Sequence, residues 1–236
     1  MDIIGIHLRD AITKGGCPVC RLIEEFEEAE IGTILYEHVN DPTLREEFKK
    51  SLGLCPYHAW KLLNIAYSNP LYGGLGVAII YEHMLRTYIA SIEKNEAPPE
   101  SECYLCKLTR EKESLTIESL AGRIDELLPI YEESEGVFCK RHYEMLQEKL
   151  KRSNPEASRN LEEIQLKKLN LLKDLLNGFI EKFDYRSQES PSEEEALAVR
   201  RSIEALKGRP LVINMLKPEK KIGRFSLRGV SFGRRD

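Results

Sequence analysis

Eight residues constrain this chain more than any other feature. Cys17-Pro18-Val19-Cys20 and Cys55-Pro56-Tyr57-His58 form a C-x-x-C and a C-x-x-H, and the order returns as Cys103-Tyr104-Leu105-Cys106 and Cys139-Lys140-Arg141-His142. Together they use all six cysteines of the protein. Three sulfurs and one imidazole nitrogen make the donor inventory of a closed tetrahedral metal site. The sequence therefore predicts two zinc sites, one from Cys17, Cys20, Cys55 and His58 and one from Cys103, Cys106, Cys139 and His142.

Donors three residues apart project from one side of a first helical turn toward a single ion. Pro18 and Pro56 directly follow a first ligand, where a helix tolerates proline because the missing amide would have had no partner. Each pair is thus expected to open a helix, whose dipole and free amides favour the thiolate that binds metal. A disulfide framework would leave the two histidines at matching offsets without a reason. A dithiol redox motif would leave Cys55, Cys139 and both histidines without a role. An iron–sulfur cluster at the same ligands stays open as the alternative to zinc, since three thiolates and an imidazole also hold iron.

The 86 residues from Cys17 to Cys103 and the 84 from His58 to His142 point to an internal duplication. Residues 1–97 form the first repeat and residues 98–208 the second, with Pro98-Pro99 in the linker between them and residues 209–236 as a tail. Apolar spacing of 3–4 residues predicts an all-α fold. Its helices include a lead-in over 8–14, one behind each ligand pair, one from Leu71 to Lys94, a long one from Glu156 to Tyr185 able to span both halves, and a last one from Ser192 to Gly208. On the helix behind Cys20, Glu24, Glu25, Glu27, Glu28 and Glu30 read as a solvated face. Beyond Pro210, Leu211-Val212-Ile213-Asn214 is strand-like within an otherwise irregular, basic tail.

Charge is distributed unevenly. From Arg209 onward eight basic residues face Glu219 and Asp236, a local charge of +6, so the overall −4 leaves −10 on residues 1–208. An acidic body is a poor surface for nucleic acid, which leaves RNA binding to residues 217–236, where cations, aromatics and glycines mix. The longest uncharged apolar-rich run, Leu71 to Tyr81, is too short to cross a bilayer, and the start of the chain lacks the pattern of a signal peptide. A reducing cytoplasm is the expected compartment.

The combination of Gly15-Gly16-Cys17-Pro18-Val19-Cys20, Leu54-Cys55-Pro56-Tyr57-His58, Cys103 to Cys106, Cys139 to His142, and Phe183-Asp184-Tyr185-Arg186 followed by Arg200-Arg201 resembles an uncharacterised prokaryotic family, a domain of unknown function with tandem C-x-x-C and C-x-x-H helical units. The resemblance covers residues 3 to 208. It implies an all-helical fold and metal ligation at the eight positions, and it brings no reaction or substrate. Tyr104 and Lys140 depart from the first repeat, where prolines stand.

His38 and His83, each in a Tyr-Glu-His tripeptide, read as helix-face residues, and Asp184, Arg186, Arg200 and Arg201 as an ion-pair cluster or an anion-binding groove. No nucleophile elbow, phosphate loop, dinucleotide fingerprint or metalloprotease helix is present. Four protein ligands per ion leave no position for a catalytic water. The expected function is that of a non-enzymatic scaffold or adaptor for a macromolecular partner, a protein in the first instance, with an iron–sulfur redox protein and an RNA- or ribosome-associated protein as the alternatives.

Overall fold

Each ligand motif opens a helix. The computed structural model describes residues 3–183 and 189–209, and ten α-helices run through them. These are α1 (Ile3–Thr13), α2 (Pro18–Thr33), α3 (Pro42–Lys50), α4 (Pro56–Ser68), α5 (Leu75–Lys94), α6 (Tyr104–Gly122), α7 (Ile124–Glu133), α8 (Lys140–Ser153), α9 (Pro155–Lys182) and α10 (Glu193–Lys207). A π-helical turn, Ile34–His38, continues α2. Cys17, Cys55, Cys103 and Cys139 are the N-caps of α2, α4, α6 and α8, and their second ligands stand at the third helical position. That is the spacing of a capping box, in which an N-cap and a third-position side chain turn toward the same helix end. None of the four cysteines makes a side-chain cap hydrogen bond, so the sulfurs are left to other partners.

The two repeats interlace. Residues of α1 and the start of α2 (Leu8, Ile12, Val19) pack with Leu120, Leu127, Tyr131, Phe138, Leu146 and Leu161 of the second repeat. Conversely, Leu105 at the start of α6 enters a core built from Ile31, Ile34, Phe48, Leu62, Ile80 and Met84 of the first. Backbone bonds fasten both crossings. Val137 N–H donates to Gly16 O at 3.1 Å, and Ser101 N–H donates to Lys50 O at 2.9 Å. At the first crossing a side chain is crowded by backbone, because a Cβ on Gly136 would lie 3.0 Å from Ile12 O and 3.2 Å from Gly16 O. Both cores are therefore shared between the two repeats.

The remaining helices follow local signals. Ser192 caps α10 in a full capping box with Glu195, and Asn154 caps α9 by accepting from Ala157 N–H at 3.1 Å. The long helix expected to span both halves packs instead mainly on α7, α8 and α10. Its last turns join α10 through Leu172, Leu175, Leu176, Ala198 and Ala205. The lead-in helix begins at Ile3 rather than residue 8, and α5 begins at Leu75 rather than Leu71. Arg200 pairs with Glu204 and Arg201 with Glu135, both as structural ion pairs. Asp184, Arg186, the strand-like run at 211–214 and the basic segment 217–236 lie outside the described residues. No described helix is long and apolar enough to cross a membrane.

Candidate metal centres

The eight donors gather into two quartets, and the pairing is crossed relative to the sequence expectation. Cys17 and Cys20 of the first repeat meet Cys139 and His142 of the second, while Cys103 and Cys106 of the second meet Cys55 and His58 of the first. The sets Cys17, Cys20, Cys55, His58 and Cys103, Cys106, Cys139, His142 do not form. The crossing goes with the packing: α2 lies against α6, and the start of each C-x-x-C helix enters the core of the other repeat, Val19 among second-repeat residues and Leu105 among first-repeat residues.

In the Cys17 cage, His142 Nδ1 lies 3.3 Å from Cys17 Sγ, 3.3 Å from Cys20 Sγ and 3.2 Å from Cys139 Sγ, with Cys20 and Cys139 sulfurs 3.7 Å apart. In the Cys55 cage, His58 Nδ1 lies 3.3 Å from Cys55 Sγ, 3.6 Å from Cys103 Sγ and 3.4 Å from Cys106 Sγ, with Cys55 and Cys106 sulfurs 3.6 Å apart. A tetrahedral ion with bonds of about 2.3 Å to sulfur and about 2.0 Å to nitrogen sets its donors roughly 3.8 Å apart for two sulfurs and roughly 3.5 Å for sulfur and nitrogen. The distances above lie close to those values, and the four donor atoms of each quartet all lie within 4.8 Å of one another. All six cysteines are free thiols, and Cys17, Cys139, His58, His142 and Cys103 are buried.

The electrostatics also fit a cation. Burial opposes charge on both imidazoles, yet contacts with Cys103 and Glu27 raise His58 to about 10, and contacts with Cys139, Cys20 and Glu113 raise His142 to about 11. Burial and the neighbouring sulfurs Cys139 and Cys20 push the Cys17 thiol well up, and burial with Cys55 does the same to Cys106. Hydrogen bonds from Cys17 and Cys20 pull the Cys139 thiol strongly down against burial, with His142 adding to them. Burial raises Cys103, but His58 and the backbone at Cys55 and Cys106 outweigh it and bring it to about 6. In each quartet one thiol is drawn down while the imidazole is drawn up, opposed tendencies that a divalent cation would replace by displacing protons.

Two carboxylates complete the arrangement, and sequence reasoning missed both. Glu27, assigned to the solvated face of α2, is 2% exposed. Its Oε1 faces His58 Nε2 at 3.4 Å, and its Oε2 accepts from Lys61 Nζ at 2.6 Å and Tyr57 OH at 3.0 Å. Glu113 Oε1 accepts from His142 Nε2 at 2.8 Å, and both its oxygens take the Arg141 guanidinium at 2.8 and 2.6 Å. Burial alone would raise both carboxyls. The His58 and Lys61 contacts hold Glu27 at about 2, and the Arg141 and His142 contacts hold Glu113 at about 2. A carboxylate on the outer nitrogen fixes the tautomer that presents Nδ1 to an ion. The signal was present in the sequence: both glutamates stand ten residues after the first cysteine of their C-x-x-C.

The two cages open on a shared cleft of about 530 Å³, lined by Cys20, Cys55, Cys106, Cys139, Tyr57 and Arg141 among others. Gly208, just past α10, closes on the Cys17 cage so tightly that a Cβ there would lie 3.3 Å from Cys20 Sγ. Of the other histidines considered from sequence, His38 Nδ1 lies 3.9 Å from Asp41, and neither His38 nor His83 belongs to a metal-binding group among the described residues.

No solved structure matches the chain. It is 28% identical over 180 residues to the "Uncharacterized 23.9 kDa protein in xynA 3'region" of Caldicellulosiruptor sp. (strain Rt8B.4), a match that covers 72% of this chain and 84% of that protein. A family model described as "Family of unknown function (DUF6062)" matches twice in tandem, over residues 1–100 and 100–211. With two copies of its pattern covering nearly all the described residues, the chain belongs to that family of unknown function.

Proposed function

We propose that the protein is a non-enzymatic helical scaffold whose two cages each hold one structural zinc ion, and whose folded surface serves a macromolecular partner. The observation that carries this reading is the crossed ligation. Each ion would take two donors from either repeat, so binding free energy becomes folding free energy for the interlaced pair. A structural zinc site contributes on the order of 10 kcal/mol or more, whereas burying one large core side chain such as Phe48 or Leu105 contributes about 2 kcal/mol. Four protein donors per cage, each histidine backed by a carboxylate, match the closed form of a structural site.

Donor spacing favours a single ion over the iron–sulfur alternative. A cluster sets several metal atoms and sulfides among its thiolates and spreads them wider than the 3.6 and 3.7 Å between sulfurs here. The face of α5 supports the adaptor role, since Leu85, Ile89 and Ile92 lie exposed along it. RNA association through residues 217–236 is a separate reading that rests on composition alone.

Anaerobic purification followed by elemental analysis and an absorption spectrum tests the metal. Two zinc atoms per chain and a colourless protein are the expected result. Visible absorption with iron and acid-labile sulfide would replace it by the redox reading. Unchanged helicity and melting temperature after complete chelation would remove the structural role altogether.

A further inference from the structure

Each of α2 and α6 serves both cages. Helix α2 supplies Cys17 and Cys20 to one ion and, ten residues on, Glu27 to the histidine of the other. Helix α6 supplies Cys103 and Cys106 to the second ion and Glu113 to the histidine of the first. Neither carboxylate supports the cage to which its own helix gives cysteines. Both are buried, and each has further fixed partners, Lys61 and Tyr57 for Glu27 and Arg141 for Glu113. Thr109 of α6 also reaches Glu27, at 3.4 Å, which ties the middles of the two helices together at the same point.

Resting on the metal reading above, we propose that Glu27 and Glu113 are positioning residues that couple the two cages, so that the protein loads its ions cooperatively. Closing the Cys17 cage fixes the start of α2 against α8 and holds α2 in the register that sets Glu27 on His58. His58 is then already in the orientation that turns Nδ1 inward, and the second ion binds to a cage whose ordering cost has been met. The converse route runs from the Cys55 cage through α6 and Glu113 to His142. Coupling of this kind is reciprocal by thermodynamic necessity, with a typical factor of about 5 to 150. Losing an outer-shell partner of a ligating histidine typically weakens metal binding by about 10- to 100-fold.

The test is a titration of the reduced full-length chain with Zn²⁺, followed by native mass spectrometry. Independent equal sites at half saturation would give the one-ion form as about half of all molecules, by simple binomial statistics. Coupling predicts a one-ion form well below that, with empty and two-ion forms dominant. In the doubly substituted Glu27→Gln, Glu113→Gln chain, whose amides keep the volume and part of the hydrogen bonding, the one-ion form should rise toward half. Loading with ¹¹³Cd²⁺ gives a readout for each cage. Glu27→Gln should shift the resonance of the Cys55 cage, and Glu113→Gln that of the Cys17 cage, opposite to the helix on which each residue lies.

Binomial loading of the unsubstituted chain with two ions overturns the coupling and leaves the zinc reading standing. Cooperative loading that the double substitution does not reduce assigns the coupling to folding as a whole and overturns the carboxylate route. Failure to bind any ion overturns both readings.

Discussion

Cutting the linker gives the most direct test of the crossed cages. Residues 95–102 join α5 to α6 with mostly exposed backbone, and a protease site placed between Asn95 and Pro98 would separate the repeats chemically without touching a ligand. The tether matters little by comparison with the ions. A linker of this kind supplies an effective concentration in the millimolar range, a gain of about 4 kcal/mol over separate pieces at about micromolar concentration. Two structural ions contribute on the order of 20 kcal/mol together, each spanning both pieces, with Leu105 and Val19 buried across the same divide. The nicked, metal-loaded protein should therefore elute from a sizing column as one species with two ions. Adding a strong chelator under reducing conditions should split it into separate or unfolded pieces. If the loaded pieces instead separate with one ion each, every cage is closed within its own repeat and the crossed pairing is refuted.

Further predictions follow from single groups. Metal affinity should rise with pH and fall in acid. The raised Cys17 and Cys106 thiols and the histidines lifted to about 10 and 11 keep their protons at neutral pH when no ion is bound, so binding must expel them. Competition with a chromophoric chelator between about pH 6 and about pH 8 checks the sign, and an affinity independent of pH contradicts it. Tyr131→Phe should cost about 1–3 kcal/mol in denaturant unfolding, because the hydroxyl both donates to Gln165 Oε1 and accepts from Phe138 N–H within the core. Gly208→Val should lower the melting temperature and disturb the cadmium resonance of the Cys17 cage first. That residue has φ +83 and stands against Cys20 Sγ, so a branched side chain has neither the backbone conformation nor the room. Equal disturbance of both resonances would show that the contact is not specific to that cage.

Much of the fold was legible because its signals are local. Proline after cysteine, the Ser192 and Glu195 capping box, and apolar stripes of helical period each depend on a few neighbouring residues, and the helices opened by the ligand motifs, α9 and α10 stand close to where those signals placed them, whereas α1 begins earlier and α5 later than expected and α7 was not anticipated. The identity of the eight donors was legible for the same reason. Their partnership was not. A C-x-x-C is equally compatible with either C-x-x-H, and the choice is made by packing between segments 119 residues apart in sequence at one cage and 51 at the other. Glu27 was hidden among the acids of α2, where Glu25 and Glu28 are exposed as a solvated face requires and Glu24 and Glu30 are half-buried. Only its match in repeat position to Glu113 separates it from them. The span of the long helix was overestimated because periodicity reports that a face is apolar and says nothing of which neighbour covers it.

The exchange of ligands has a consequence for any chain that carries a single copy of this unit. Alone, such a chain would own two half-built pockets with two donors apiece. Two identical chains meeting about a twofold axis would finish both pockets at once, each lending its sulfur pair to the other. Read this way, the covalent join between Lys94 and Cys103 turns what would be a concentration-dependent assembly into a property of one molecule.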